Sequence, residues 1–272
     1  MSRRGKFVCA LFALAAFAVL LLPLVVVIAG SFDGTVTSYL KFPPTSFSLR
    51  WYLALPQSYV HAFLRSLFIA TSAAVLATVI GTAAAVSLAR SSLGRSHLLQ
   101  TLFQLPLQIP FVVIGVVFLQ FYYALLDLFD IQLISTYTGL IIAHLFFCIP
   151  YSVGTVGAVI TPELRNIENA ARICGAPEAR VFRRITIPAL MPGVFSGFFY
   201  AFIMSFGDIP VSIFLTRANL QTLPVQIFQT LQFDFDPAVL SASTLVIVFS
   251  VALIAVVRQV LGIDLVLRAS KK

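Results

Sequence analysis

Six stretches of this chain are apolar almost without interruption: roughly 7–29, 65–89, 99–126, 136–160, 189–215 and 237–261. A helix needs about 20 mostly apolar residues to cross the hydrocarbon of a bilayer. Hydrocarbon offers no partner to a bare N–H or C=O, so only helices and closed β-barrels can span it. Barrel strands are short and alternate in polarity, whereas these runs are long and uniformly apolar. The expectation is an all-α membrane protein, a bundle of six transmembrane helices. Composition agrees, because 60% of the 272 residues are hydrophobic and 10% are charged, against roughly 25% charged in a soluble domain.

The basic residues orient these spans. With the first segment inside, the cytoplasmic side holds Arg3, Arg4, Lys6, Arg90, Arg95, Arg165, Arg172, Arg180, Arg183, Arg184, Arg258, Arg268, Lys271 and Lys272. The external side holds Lys41, Arg50, Arg65 and Arg217, with Asp33, Asp127, Asp130, Asp234 and Asp236. A bias of fourteen of the 18 basic residues to one side places both termini in the cytoplasm. The expected layout is a cytoplasmic N-terminus over 1–6, a membrane domain over 7–261 and a cytoplasmic tail over 262–272. The net charge of +8 is spread over loops rather than gathered into one stripe, which argues against nucleic-acid binding. The first run starts like a secretory signal, but its apolar part is too long. No A-x-A site follows Val27-Ile28-Ala29-Gly30, so it reads as a retained helix.

Gly81 with Ala85, and Gly154 with Ala158, have the spacing that lets membrane helices approach closely. Pro106, Pro110 and Pro150 are expected to break or bend their helices.

The longest cytoplasmic loop, 161–188, is patterned. Thr161 suits an N-cap, Pro162 the first helical position and Glu163 the positive end of the helix dipole. Leu164, Ile167, Ala171 and Cys174 recur at helical spacing and predict one apolar face. Gly175 stands where a helix-ending glycine belongs. Ala176-Pro177-Glu178 restarts a short helix that ends near Arg183-Arg184, and Ile185-Thr186-Ile187-Pro188 leads back to the membrane. A short exposed amphipathic helix lies on a membrane surface or docks in a groove of a partner.

Asn169-Ala170-Ala171-Arg172-Ile173-Cys174-Gly175, followed after nine residues by Ile185-Thr186-Ile187-Pro188, resembles the EAA loop of binding-protein-dependent ABC importer permeases. That pattern is E-A-A, three residues, G, nine residues, I-x-L-P. Asn169 replaces the usual Glu, with Glu168 adjacent, and Ile187 replaces Leu. The resemblance implies a coupling helix seated in a cytoplasmic ATPase, with Glu168, Asn169, Ala170, Ala171, Gly175, Ile185 and Pro188 as coupling residues. It also implies a second homologous permease, favouring a heterodimer, an external solute-binding protein and a bacterial inner-membrane location. ATP and magnesium would be bound by the ATPase, and this chain itself would hold no cofactor.

Ser205-Phe206-Gly207-Asp208, Val211-Ser212-x-Phe214 and Thr222-Leu223-Pro224-Val225 resemble the fifth helix and following loop of the spermidine/putrescine type. So do Ser48-Leu49-Arg50-Trp51-Tyr52 and Gly81-Thr82-Ala83. Importers of ferric iron, thiamine, opines and aminoethylphosphonate share much of this pattern. Asp208 is a carboxylate inside an expected span, where an ionisable group faces a cavity or a partner. It suits either a polyamine path or a structural hydrogen bond beside Pro210. Phe206, Tyr122 and Tyr123 could offer ring faces to a cation or anchor the helices at the interface. Arg65 suits a zwitterion or an anion such as a phosphonate.

No G-x-x-x-x-G-K-[ST] phosphate loop and no nucleophile elbow occur. His61, His97 and His144 are isolated, and Cys9, Cys148 and Cys174 have neither metal-ligand nor disulfide spacing. The chain is expected to be a non-catalytic subunit without a metal. A stand-alone secondary carrier would call for internal repeats or a proton relay, which are not evident, and would have no purpose for the EAA-like loop; a scaffolding subunit would be told apart by transport surviving deletion of that loop.

Overall fold

The computed structural model describes residues 3–35, 42–90, 96–233 and 235–261. Lys41, Arg95, Asp234, Arg268, Lys271, Lys272 and the tail 262–272 lie outside them.

Among the described residues the regular structure is helical, apart from one isolated bridge between Asp33 and Phe47. In order come α1 (Arg3–Gly30), α2 (Arg50–Leu53), α3 (Gln57–Arg90), α4 (Ser96–Gln104), α5 (Phe111–Phe129), α6 (Tyr137–Val159), α7 (Pro162–Ile173), α8 (Glu178–Val181), α9 (Ile187–Phe206), α10 (Ser212–Leu215), α11 (Leu223–Phe233) and α12 (Ala238–Leu261). Six segments are long and apolar enough to span a membrane: Phe7–Gly30, Gln57–Arg90, Phe111–Phe129, Tyr137–Val159, Glu178–Phe206 and Ala238–Gln259. The first, fourth and sixth match the expected spans closely.

The other three correct them. The second span starts earlier, at Gln57, because Tyr59 and Ala62 are buried before the apolar run begins. The third does not run over 99–126. α4 gives way to a 3₁₀ turn at Leu105–Gln108, and Pro110 caps α5. Pro106 and Pro110 each remove a backbone donor, and Pro110 forces its predecessor Ile109 into extended backbone. The fifth ends at Phe206 rather than 215, so Asp208 lies beyond the helix and not inside it.

The chain divides into two compact units, Met1–Val60 with Gln226–Val256, and His61–Val225 with Val257–Lys272. In the first unit, α1 leaves most of its length exposed, a surface that only lipid or another apolar helix can cover. Asp33 organises the external turn after it. Its carboxylate accepts hydrogen bonds from the backbone and hydroxyl of Thr35 and of Thr45, and from the Ser46 hydroxyl. The Trp51 indole donates to the Asp33 carbonyl at 2.8 Å, and the Arg50 guanidinium lies 5.2 Å from the Trp51 ring centroid.

In the second unit, α3, α6 and α9 cross at small residues. A side chain on Gly81 would meet Ser152 of α6 at 2.5 Å. One on Gly193 would meet the Thr155 carbonyl at 2.8 Å, and one on Gly197 would lie 3.0 Å from the Ser152 Cα. Gly81 therefore serves close approach as expected, beside the buried Ala85. Gly154 does not, since nothing lies within 4 Å of its would-be Cβ. Gly154 and Ala158 instead line a cleft of about 440 Å³ with Ala85, Leu88, Gln104, Gly157 and Arg165.

The Asp33 cluster gives a pH test. Hydrogen bonds, the Thr35 backbone N–H first among them, hold the Asp33 carboxyl at about 2, below its ordinary value of 3.8. A depressed carboxylate contributes its stability above the ordinary value and loses it as pH falls through the depressed one. Trp51 is the single tryptophan and reports on this turn. Its emission is expected to stay constant from neutral pH to about 4 and to shift red only towards pH 2, whereas Asp33→Asn is expected to be red-shifted already at neutral pH.

Candidate functional site

The helix–turn–helix between α6 and α9 forms as its sequence directs. The Thr161 hydroxyl accepts from the Leu164 N–H, and Pro162 occupies the first turn. The Thr161 hydroxyl also holds the Glu163 carboxyl below its usual range. At the other end, Gly175 takes φ +81°. Its N–H donates to the Arg172 carbonyl at 2.9 Å and the Ala176 N–H to the Ala171 carbonyl at 3.0 Å, the bonding pattern of a Schellman ending.

Two expectations are corrected beyond that turn. The apolar face is split: Leu164 is buried and Ala171 half-buried, while Ile167 and Cys174 are exposed. Leu164 enters a cluster with Ala85 of α3, Val156 of α6 and Leu190 of α9, against which Ile185 packs. Burying such a side chain stabilises by about 2 kcal/mol. The outward surface is instead Ile167, Ala170, Ile173 and Cys174, with Ile173 87% exposed. The second correction concerns Ile185–Pro188. It is no separate lead-in, because α8 passes through a π-turn at Phe182–Thr186 directly into α9, with Pro188 in the first turn of α9.

Glu168 is the residue on which these elements converge. It faces inward and is only 6% exposed. Arg90 at the end of α3 donates to its Oε1 at 3.2 Å, the Thr186 hydroxyl donates to the same oxygen, and Arg172 stands 3.8 Å from Oε2. Arg90 also lies over the Phe182 ring, 5.7 Å from its centroid. Arg165 donates to the Ala89 carbonyl, one of the carbonyls a helix end leaves without an intrahelical partner. α7 is thereby tied to the end of α3 and the start of α9. Across the Gly175 turn, Arg172 donates to both carboxylate oxygens of Glu178 and, at 2.8 Å, to the Asn169 side-chain oxygen. This pair holds the Glu178 carboxyl low and the Arg172 guanidinium high. Asn169 itself is exposed. The ion pairs of this loop are made by Glu168 and Glu178.

At the external end, α9 stops and the chain folds back. Asp208 is 6% exposed. Its carboxylate accepts from the Val211 N–H at 3.3 Å and from the Ser212 N–H and hydroxyl at 2.8 Å each. The fully buried ring of His144 lies 3.6 Å from Asp208 through Nε2, 3.1 Å from the Ser212 hydroxyl through Nε2, and 2.6 Å from the Ser205 hydroxyl through Nδ1. Since Ser212 donates to Asp208, it accepts from Nε2–H of the ring. Phe206 is buried against Phe63 and Phe202. The Tyr122 hydroxyl donates to the Gly139 carbonyl at 2.7 Å inside the packed core, and Tyr123 is exposed. Sequence reasoning left His144 isolated. Its signal was the polar His144, Ser205 and Ser212 within otherwise apolar segments.

A family described as the binding-protein-dependent transport system inner membrane component matches residues 77–262. The chain is 30% identical to the spermidine/putrescine transport system permease protein PotC of Haemophilus influenzae, over 88% of this chain and 90% of that protein. It is 30% identical to the putrescine transport system permease protein PotI of Escherichia coli, over 85% and 82%. It is 29% identical to the sulfate transport system permease protein CysT of Salmonella typhimurium, over 76% and 80%. The crystal structure of an amino acid ABC transporter with histidines shares the fold, with a TM-score of 0.57 at 16% identity over 80% of this chain and 99% of that one.

Removing Glu168 leaves the buried Thr186 hydroxyl without its acceptor and takes the shared carboxylate from Arg90 and Arg172, whereas Glu178 is an exposed partner of Arg172. Glu168→Ala is expected to cost about 2 kcal/mol and Glu178→Ala to leave the unfolding temperature close to wild type, read as thermal unfolding of the purified protein in detergent.

Proposed function

The chain belongs to the binding-protein-dependent transport inner-membrane component family and is an ABC importer permease, and on that premise we propose that it forms part of a polyamine path in a bacterial inner membrane. The relatives named for spermidine and putrescine, covering most of the chain, support the solute class. The solute would arrive from an external binding protein. A second permease, homologous and not identical, would complete the path, and an ATPase pair binding ATP and magnesium would drive it. This subunit contributes no catalytic group.

The observation that carries the coupling part is the two-sided α7. Its inner side is fastened by Leu164 and Glu168, and its outer side presents Ile167, Ala170, Ile173 and Cys174 to a groove on the ATPase. Ile173 is the knob and Gly175 permits the turn behind it. Closure of the ATPase on ATP pulls this knob, and Glu168 passes the displacement to α3 and α9. A packed, hydrogen-bonded element with two arrangements is what such switching requires. Asn169, Ala171, Ile185 and Pro188 set the position of the knob without touching the groove.

On the external side, Asp208 holds the fold-back after α9 to His144. In the proposal this fold-back is the external edge of the path, with Phe206 and Tyr122 packed behind it and Tyr123 on the exposed surface. A second reading, the same machinery serving an anion, is favoured by the CysT relative.

Radiolabelled spermidine and putrescine uptake by the complete transporter in proteoliposomes tests both parts. Ile173→Asp is expected to leave membrane insertion intact and to cut uptake at least about tenfold, the effect of one buried charge in an apolar groove. Gly175→Pro is expected to act likewise, since it removes a donor and a left-handed residue. Sulfate uptake with no polyamine uptake would replace the solute class, and unaltered uptake by both variants would refute the docking.

A further inference from the structure

α3 is 34 residues long, about 51 Å at 1.5 Å per residue. A bilayer's hydrocarbon is only about 30 Å thick. The positive-inside bias puts the Arg90 end in the cytoplasm, so the first turns of α3 stand in the external headgroup layer. His61 and Arg65 lie there, four residues apart and therefore on one helix face. With Leu64, Phe68 and Tyr137 they line a cleft of about 580 Å³. Arg65 is half-buried, and no carboxylate lines the cleft among the described residues. Phe68 and Tyr137 form its apolar wall, edge to face with ring centroids 5.4 Å apart.

The same face of α3 continues into the membrane as an exposed apolar stripe. Leu64, Phe68, Val75 and Val79 follow one another along it, with Leu76 at its edge. From Arg65 to Val75 is ten residues, about 15 Å along the axis, which is the depth of one leaflet's hydrocarbon. A half-buried arginine beside an exposed histidine at headgroup level, an aromatic shelf below them and one leaflet's depth of exposed apolar helix beneath match a phospholipid part by part. A guanidinium fork fits phosphate oxygens in a bidentate manner, and tyrosine is favoured at this depth.

We propose that this cleft binds a phospholipid of the external leaflet, with its phosphate on Arg65 and His61 and an acyl chain along Phe68 and Val75. The site stands on the membrane orientation and the exposed face of α3. It does not depend on which solute the transporter carries.

The test is native mass spectrometry of the complete transporter released from detergent, titrated with palmitoyl-oleoyl phosphatidylglycerol. Arg65→Ala with His61→Ala is expected to lower lipid retention about tenfold, the loss of charge-assisted hydrogen bonds. Arg65→Lys keeps an intermediate retention, since the charge stays and the bidentate fork is lost, which separates charge from folding, and Arg217→Ala, another external arginine, changes nothing. Retention equal to wild type in the double variant would overturn the site. Displacement of the lipid by an equal concentration of inorganic phosphate would assign Arg65 and His61 to a soluble anion and would also overturn it. So would a cross-link from Phe68→Cys to the second permease, because that subunit would then cover the stripe. Uptake plays no part in this readout, so its failure and that of the transport reading are distinguishable.

Discussion

The cytoplasmic end of the second unit depends on one buried carboxylate. Glu168 faces Arg90, Thr186 and Arg172, and without it these donors would meet beneath α7 with no common acceptor. Such a group is poor at adding stability, because desolvating it offsets much of what its partners return. What it adds is geometry. A carboxylate held from α3 and from the π-turn before α9 fixes where the intervening helix can sit. Leu164 provides the non-directional part of the same attachment. A π-turn is an uncommon element, frequently found at functional positions. Here it falls at Phe182–Thr186 and places the Thr186 hydroxyl on Glu168.

The bilayer sets the remaining rules. Two departures from regular helix within the second unit are accompanied by specific polar arrangements. The fold-back after α9 directs its N–H groups to Asp208, and Asp208 in turn lies beside a buried histidine bracketed by two serines. The α6 N-terminus is capped by the Thr136 side chain. Where backbones must approach, glycines stand at the crossings. With lipid outside, apolar contact alone gives helices little reason to associate, so these close crossings and polar ties carry the specificity of packing.

Much of this was legible in the sequence. Span number, the Thr161–Pro162 start and the Gly175 ending follow from local chemistry: a cap, a missing donor and a left-handed turn depend only on near neighbours. The failures are tertiary. The apolar residues of α7 were read as one face, but Leu164 and Ile167 are divided between two environments that only the packing of α3, α6 and α9 defines. Asn169 stands in the usual Glu position, and which of it and the adjacent Glu168 faces inward is set by packing; Glu168 does, and makes the ion pair with Arg90. The fifth span was read through residue 215 because hydropathy does not register that Asp208 and Pro210 turn the chain. Gly154 has the spacing of a packing glycine yet faces a cleft, since spacing does not say which side of a helix is occupied.

The central claim is that α7 and the end of α3 move as one body when the ATPase closes. The direct measurement is the distance between spin labels at Asn166 on α7 and Ser87 on α3, both exposed, in the assembled transporter with Cys9 and Cys174 replaced by serine. The account requires the same distance distribution without nucleotide and with ATP trapped, and a broadened one in Glu168→Gln. A wild-type distance that changes between the two states would contradict it, because α7 would then be sliding over α3 and Glu168 would not be passing its motion on.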